Sequence, residues 1–313
     1  MEAYDIIKGL LFLLVAIIGI PGNLAITGSL SWITCSIFKL LPVELIIWNL
    51  SLANTILVIT RGLPAALFML FGTRVNSDAG CRIIIYLSRI SRGMAFCLTC
   101  VLSCVQCVTL IPPSSKWAHI KHSVPKYTLP VTFSLWLLYM IMEIVGLIFS
   151  SSQTNSSNPE LVYNYGYCVV IVPSIIVFYV YGFLLFSRDL VVVSVMTLAS
   201  SYILFILFRH RKQVNDIRNS NQNSDVEIRA AKTVVSLVTM YVLFFGVENT
   251  IWLYQIAVSK IIHPMISDVR HFFSICYTVF FPISIIVSNK KIQNVFKCLR
   301  RRSTHNGTVS SFP

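Results

Sequence analysis

The sequence predicts an all-α membrane protein, a seven-transmembrane helix bundle with its amino terminus outside and its carboxyl terminus cytoplasmic. Three observations predict it: the number and length of the apolar stretches, their lack of a polar face, and the sidedness of the basic residues between them. A helix needs about 20 mostly apolar residues to cross roughly 30 Å of hydrocarbon. Runs of that kind lie at residues 6–33, 43–71, 81–111, 127–149, 184–208, 233–258 and 269–287. Hydrophobic residues make up 56% of the 313, and the runs are apolar all round, whereas a soluble amphipathic helix keeps one polar side. The bundle is expected to take residues 1–290, and residues 291–313 to form a cytoplasmic tail.

Orientation follows from charge. Lys+Arg number 25 against 12 Asp+Glu, a formal net charge of +13. The surplus collects on one side: Lys39 after the first run, Lys116, Lys121 and Lys126 after the third, and Arg209, Arg211, Lys212, Arg218, Arg229 and Lys232 after the fifth. The tail adds Lys290, Lys291, Lys297, Arg300, Arg301 and Arg302, while the opposite segments hold only Lys8, Arg74, Lys260 and Arg270. Basic loops stay in the cytoplasm. Because the charge tracks loop sidedness, the surplus does not predict a nucleic-acid surface.

Taken in order, the first run follows an acidic head at residues 1–5 and exceeds a signal-peptide core in length, so it is expected to insert as its own anchor. The second carries Arg61. The third opens on Cys81, and by the orientation above only Cys81 and Cys168 of the nine cysteines lie outside, where an oxidising medium predicts their disulfide. Arg82, Arg89 and Arg92 follow at spacings that put them within roughly 80° of one another, one polar stripe on the helix. Cys97, Cys100, Cys104 and Cys107 look like paired zinc ligands, but on a helix they spread over about 15 Å. No tetrahedral ion with sulfur at about 2.3 Å gathers four ligands so far apart. The 3-4-3 spacing reads instead as a stripe of small side chains for close helix packing, and no metal or cofactor is expected.

The fourth run contains Glu143, and the outer loop after it offers the glycosylation sequon Asn155-Ser156-Ser157. Asp189, beside Arg188, lies in the fifth run, Glu248 in the sixth, and Arg270 and His271 open the seventh. Charges at membrane depth are costly and mark function or pairing. Two readings stay open: the groups pair with one another to fix helix register, or they line a partly hydrated pocket that grips a small polar or anionic molecule. At the inner end, the segment 209–232 is basic at both ends, with an Asn- and Ser-rich middle, and reads as a docking surface as well as an orienting charge. Residues 289–299 have the pattern of a short amphipathic helix lying on the anionic inner leaflet, with Cys298 as a palmitoylation candidate.

These residues also carry a family resemblance. Seven runs with an outer Cys81–Cys168 pair resemble a G-protein-coupled receptor, and the detailed match is to the vomeronasal type-1 receptors and the fish class-A-related olfactory receptors. It rests on Asp78-Ala79-Gly80-Cys81, Ser88-Arg89-Ile90-Ser91-Arg92-Gly93, and the run from Leu98-Thr99-Cys100 to Cys104-Val105-Gln106. It continues through Ile111-Pro112-Pro113-Ser114, Pro125-Lys126-Tyr127, Tyr165-Gly166-Tyr167-Cys168, Arg209-His210-Arg211-Lys212 and Arg229-Ala230-Ala231-Lys232-Thr233. Gly22-Asn23 and Trp136 are shared with rhodopsin-like receptors. Their acidic-Arg-aromatic triplet is replaced by Cys104-Val105-Gln106-Cys107, their second-span aspartate by Asn54, and their Asn-Pro-x-x-Tyr by Phe281-Pro282-Ile283-Ser284-Ile285.

The resemblance implies a plasma-membrane chemosensory receptor, not an enzyme, that binds a small odorant or pheromone in the outer half of the bundle and activates an inhibitory-class heterotrimeric G protein. It points to Arg89, Arg92, Asp189, Glu248, Arg270 and His271 as ligand contacts, the positive third run favouring acidic ligands. Gln106, Arg209, Arg211, Lys212, Arg229 and Lys232 would face the G protein. The rivals are a bitter-taste-like receptor, against which Pro125-Lys126-Tyr127 and Tyr165-Gly166-Tyr167-Cys168 argue, and a channel or transporter.

Overall fold

The computed structural model describes residues 3–37, 41–75, 77–111, 118–152, 162–171, 174–216, 222–257 and 264–297. Asn155, Cys298 and the middle of the 209–232 segment at residues 217–221 lie outside them. Six helical segments among them are long and apolar enough to cross a membrane: Tyr4–Cys35, Pro42–Phe71, Asp78–Thr109, Ile175–Arg209, Lys232–Ile251 and Asp268–Ser288. Their outward faces carry large exposed apolar side chains, such as Leu14, Ile17, Phe183, Val191 and Leu198. That arrangement is stable where the surrounding medium is hydrocarbon rather than water.

Helix α1 (Ala3–Ile37) leads into α2 (Pro42–Leu57), whose first turn Pro42 preorganises and whose Leu41 N–H is taken by Glu44 Oε2 at 3.0 Å. A π-helical segment, Val58–Gly62, then joins α2 to α3 (Leu63–Phe71). Pro64 lacks the N–H that would continue the regular ladder, and the wider turn before it absorbs the mismatch. The sequence pattern reads this stretch as one uninterrupted helix; the π segment is new, and it sets the direction of Arg61. Gly72 closes α3 at φ 67°, a left-handed conformation that side-chain-bearing residues adopt at a cost, and its N–H reaches Phe68 O at 2.8 Å.

Helix α4 (Asp78–Thr109) is the axis of the bundle, touching α2, α5, α6, α7 and α8. Ser77 caps it, and Asp78 accepts hydrogen bonds from Ser152 N at 2.7 Å and Ser152 Oγ at 2.6 Å, which ties the following connection to its first turn. The fourth predicted run is helical but broken. Helix α5 (Ala118–Met142) stops at Glu143, and a short α6 (Ile144–Ile148) resumes. Pro125 and Pro130, with the polar residues around them, dilute α5, so it is not among the six spans.

Three short strands, β1 (Ser150–Ser151), β2 (Val162–Asn164) and β3 (Val169–Ile171), pair antiparallel in the order β1-β3-β2, with Ser150 opposite Val170 and Tyr163 opposite Val170. Cys168, at the head of β3, is bonded to Cys81 of α4 with 5.8 Å between their Cα atoms. The sheet is thereby held across one end of the bundle. Helices α7 (Ile175–Asp216), α8 (Gln222–Ala257) and α9 (Pro264–Ser288) follow.

After α9 a further helix covers residues 290–297; Asn289 Oδ1 accepts from Lys291 N at 3.0 Å and caps it. Ile292 is fully buried in the main core, and Lys291 Nζ meets Glu44 Oε1 at 2.6 Å. This segment therefore packs its apolar residues against the bundle. Trp136 Nε1 donates to Asn49 Oδ1 at 3.1 Å, joining α5 to α2 through the core.

Candidate functional site

The charged residues converge between the strands and the helices. A cavity of about 150 Å³ is lined by Arg61, Arg89, Arg92, Arg188 and Arg270, and by Glu143, Asp189 and Glu248, with Tyr165, Tyr181, Phe149, Val177 and Leu185 among the rest. Each element contributes for a local reason. The π segment presents Arg61, α4 presents Arg89 and Arg92 three residues apart on one face, and the break between α5 and α6 presents Glu143. Helix α7 brings Tyr181 and Arg188, seven residues apart, α8 brings Glu248, and α9 brings Arg270.

The acids hold most of the bases. Arg92 Nη2 lies 2.9 Å from Glu248 Oε1, and its Nη1 lies 3.9 Å from Asp189 Oδ2. Arg188 reaches Asp189 Oδ1 at 2.8 Å and Glu143 Oε1 at 3.2 Å. The Tyr181 hydroxyl donates to Glu143 Oε2 at 2.9 Å and accepts from Arg89 Nη1 at 3.2 Å, while Arg89 itself stands 3.9 Å from Glu143. Glu143 thus has three partners on two helices, which is the physical reason the fourth run is broken there: the turn delivers a carboxylate that is only 3% exposed to these groups. Gly146 leaves room beside it, since a Cβ there would sit 2.8 Å from Arg89 Cδ.

The intramembrane charges therefore pair with one another, and the paired groups line a cavity. Arg89, Arg92, Asp189, Glu248 and Arg270 are brought together in it. His271 is buried behind them, its ring stacked on Tyr165 at 4.6 Å and 14°. Arg82, expected on the same stripe, is exposed and donates to Ser150 O at 3.3 Å, so the strands take it and the cavity does not. Tyr181 is not among the residues that the sequence singled out, although its one-heptad distance from Arg188 was an available sign, and Tyr165 stood out only as part of a motif. The Tyr165 ring lies 6.0 Å from the Arg61 guanidinium. Burial by itself would raise the Tyr165 phenol, but Arg89, Arg61 and Arg270 outweigh it and hold it below the ordinary tyrosine value.

The other end of the bundle is different. Gln106 is buried, with Thr109 Oγ1 donating to its backbone oxygen at 2.9 Å, so its side chain is enclosed rather than presented. Arg209 and Lys232 are exposed at the facing ends of α7 and α8. Arg211, Lys212 and Arg229 fall on those helices, but their side chains are outside the described set. The cysteine stripe lies against neighbouring helices: Cys97 Sγ is 3.0 Å from the Tyr139 hydroxyl, and Cys107 Sγ 3.0 Å from Ala199 O.

Comparison with known proteins gives this geometry its context. The family model of the vomeronasal organ pheromone receptor family matches residues 6–298. The chain is similar to olfactory receptor class A-like protein 1 of Danio rerio, at 36% identity over 99% of each protein. It is also similar to human vomeronasal type-1 receptor 3, at 30% identity over 78% of this chain and 79% of the other, and to human vomeronasal type-1 receptor 1, at 27% over 95% and 84%.

Proposed function

The chain belongs to the vomeronasal organ pheromone receptor family, and we propose that it works by binding a small polar molecule in the cavity between Arg89, Arg92 and Arg270. Membership makes it a chemosensory receptor of the G-protein-coupled type and a multi-pass protein of the plasma membrane. The further reading is that the fourth helix also crosses the bilayer, giving seven spans, with the amino terminus and the disulfide-tethered strands outside. Residues 1–290 then form the receptor domain and residues 291–313 a cytoplasmic tail. The G protein is of the inhibitory class and docks at the basic ends of α7 and α8, where Arg209, Arg211, Lys212, Arg229 and Lys232 cluster.

One observation carries this reading: a cavity with eight charged side chains lies under strands bonded to the central helix. Charges at that depth are costly, and here they sit in one concave place rather than scattered along helix contacts. Their pairing also suggests how binding is transmitted. Arg92 joins α4 to Glu248 of α8, and Arg188 with Asp189 anchors α7 to the same cluster. One turn below, Phe96 stacks on Tyr241 at 5.1 Å and on Phe245 at 4.9 Å, and Tyr241 meets Tyr277 of α9 edge-on at 4.6 Å. A ligand that engages these guanidiniums changes the relative stability of two arrangements of α7 and α8 against α4. Its differential affinity sets how far the population shifts.

The test is a cell line expressing the receptor with a promiscuous reporter G protein, challenged with small acids, amines and steroids. The expected result is a saturable response that Arg89→Ala abolishes with surface expression intact. Glu143 keeps Arg188 and Tyr181 when Arg89 is removed, so the fold should survive that substitution. An agonist response that Arg89→Ala leaves unchanged in potency would contradict this reading.

A further inference from the structure

Two of the five guanidiniums in the cavity are left over when the ion pairs are made. Arg89, Arg92 and Arg188 each have a carboxylate within 4.0 Å. Arg61 and Arg270 have none among the described residues. Arg61 is 7% exposed, its Nη1 donates to Ser274 Oγ at 3.1 Å, and its Nε is buried without a partner. Arg270 is 9% exposed, its Nη2 lies 3.4 Å from His271 Nε2, and its Nε is likewise buried and unmatched. The carboxylate nearest to Arg270 in sequence, Asp268, is bound by Lys8 at 2.8 Å.

A buried lysine can shed its proton and become neutral; an arginine cannot. Glu248 also attracts Arg61, but five guanidiniums face only three carboxylates in the cavity, so two positive charges are left unmatched. The Tyr165 phenol stands in the field of Arg89 and of both these guanidiniums, at the rim formed by the tethered strands, where its hydroxyl is placed for a second contact with an oxyanion.

We propose that Arg61 and Arg270 form an anion subsite that takes the carboxylate, sulfonate or similar oxyanion of the ligand, with Tyr165 closing it from the strand side. The proposal rests on the reading of this cavity as the ligand site and assigns its ligands a class: compact organic anions. It puts the anion grip on the π segment and α9, while Arg89 and Arg92, whose charges are engaged by Glu143, Glu248 and Asp189, hold the rest of the ligand in the same cavity. A volume of about 150 Å³ limits the organic part. An engineered protein cavity of that size holds a benzene molecule, so a single ring or a short chain fits. The π segment serves this end, since the widened turn places Arg61 where Ser274 of α9 meets it, beside Arg270 one turn earlier on the same helix.

The experiment uses purified full-length receptor in detergent micelles. Thermal unfolding is followed against increasing butyrate and butanesulfonate, with butyramide and butylamine at matched ionic strength as neutral and cationic counterparts. The two anions should raise Tm, the shift growing with the logarithm of concentration, while the amide and amine leave it in place. Arg61→Gln and Arg270→Gln should each raise the half-effect concentration of the anions about tenfold or more, the cost of one charge-assisted contact, and the double variant should abolish the shift. Arg82→Gln, outside the cavity, should respond as the wild type does. Without added anion, Arg61→Gln and Arg270→Gln should melt at or above the wild-type temperature, because each removes an uncompensated buried charge.

Equal stabilisation by butyramide or butylamine would overturn the subsite, and so would a full anion response in the double variant. If a variant does not fold, the wild-type contrast between butyrate and butyramide still decides. No G protein enters this assay, so it separates the subsite from the receptor reading: a receptor that signals to agonists but shows no anion-specific shift loses the subsite alone.

Discussion

The two halves of helix α4 solve the same problem in opposite ways. Both place polar side chains at membrane depth. In the half beyond Phe96, hydroxyls turn back to their own helix: Thr99 Oγ1 donates to Ala95 O at 2.7 Å and Ser103 Oγ to Thr99 O at 2.9 Å. A small neutral group can be satisfied by the turn that carries it. In the half toward Cys81 the Ser91 hydroxyl does the same, to Leu87 O at 2.6 Å, but the charged groups that face the cavity are Arg89 and Arg92, which no carbonyl one turn away can neutralise. They recruit Glu143, Tyr181, Asp189 and Glu248 from other helices of the chain. The neutral half is a packed core, whereas the charged half keeps an open volume. Long ionic side chains that must reach several helices at once leave gaps between their stems, and those gaps are where a ligand fits.

The contrast is broken most severely at Arg92. Arg92→Ala leaves Glu248 and Asp189 facing each other in a buried site, and the expected loss is about 3 kcal/mol or more. Purified receptor should melt well below wild type and surface staining should fall. Arg92→Met combined with Glu248→Leu should recover a large part of both, because the pair is removed as a unit. Next in size is Cys81→Ser. It opens a link between residues 87 apart in sequence, and the loss should be about 3 kcal/mol, in the range usual for a disulfide, with a drop in surface expression. The hydrogen bond from Trp136 to Asn49 is a smaller test of the packed half: Asn49→Ala should lower stability by about 1 kcal/mol in thermal melts. The smallest effect belongs to Ser103→Ala, whose hydroxyl bonds its own helix; a change within about 0.5 kcal/mol is expected. If Ser103→Ala proved as damaging as Arg92→Ala, the division of α4 into two regimes would fail.

The same physics explains what could be read from the chain. Composition and run length place the helices, since hydrocarbon imposes a length that sequence records directly. The Cys81–Cys168 link was legible from sidedness alone. Arg89 and Arg92 were legible as a stripe because their spacing on one helix is fixed by the helix itself. Their partners were not, because which acid meets which base depends on rotation and tilt between helices. Arg82 shared the stripe by angle but not by height, and the strands claimed it. The break at Glu143 and the π segment at Val58–Gly62 escaped the sequence pattern for a common reason. Each is a local irregularity held by contacts from other helices, and hydropathy has no register for them. The residue 290–297 helix was visible as an amphipathic pattern, but that its apolar residues meet the bundle is a tertiary fact.

The central claim is that the cavity at the charged end is the place where a ligand acts. The most direct measurement fills it without touching any charge. Val177 lines the cavity from α7, and Val177→Trp should occupy much of the volume while leaving every ion pair in place. In cells carrying the reporter G protein, dose–response curves for an agonist identified on the wild type should shift at least tenfold to higher concentration, with surface expression unchanged. Unchanged potency in a receptor that reaches the surface would mean that the ligand binds elsewhere and that the charged cluster holds helices together and does nothing more.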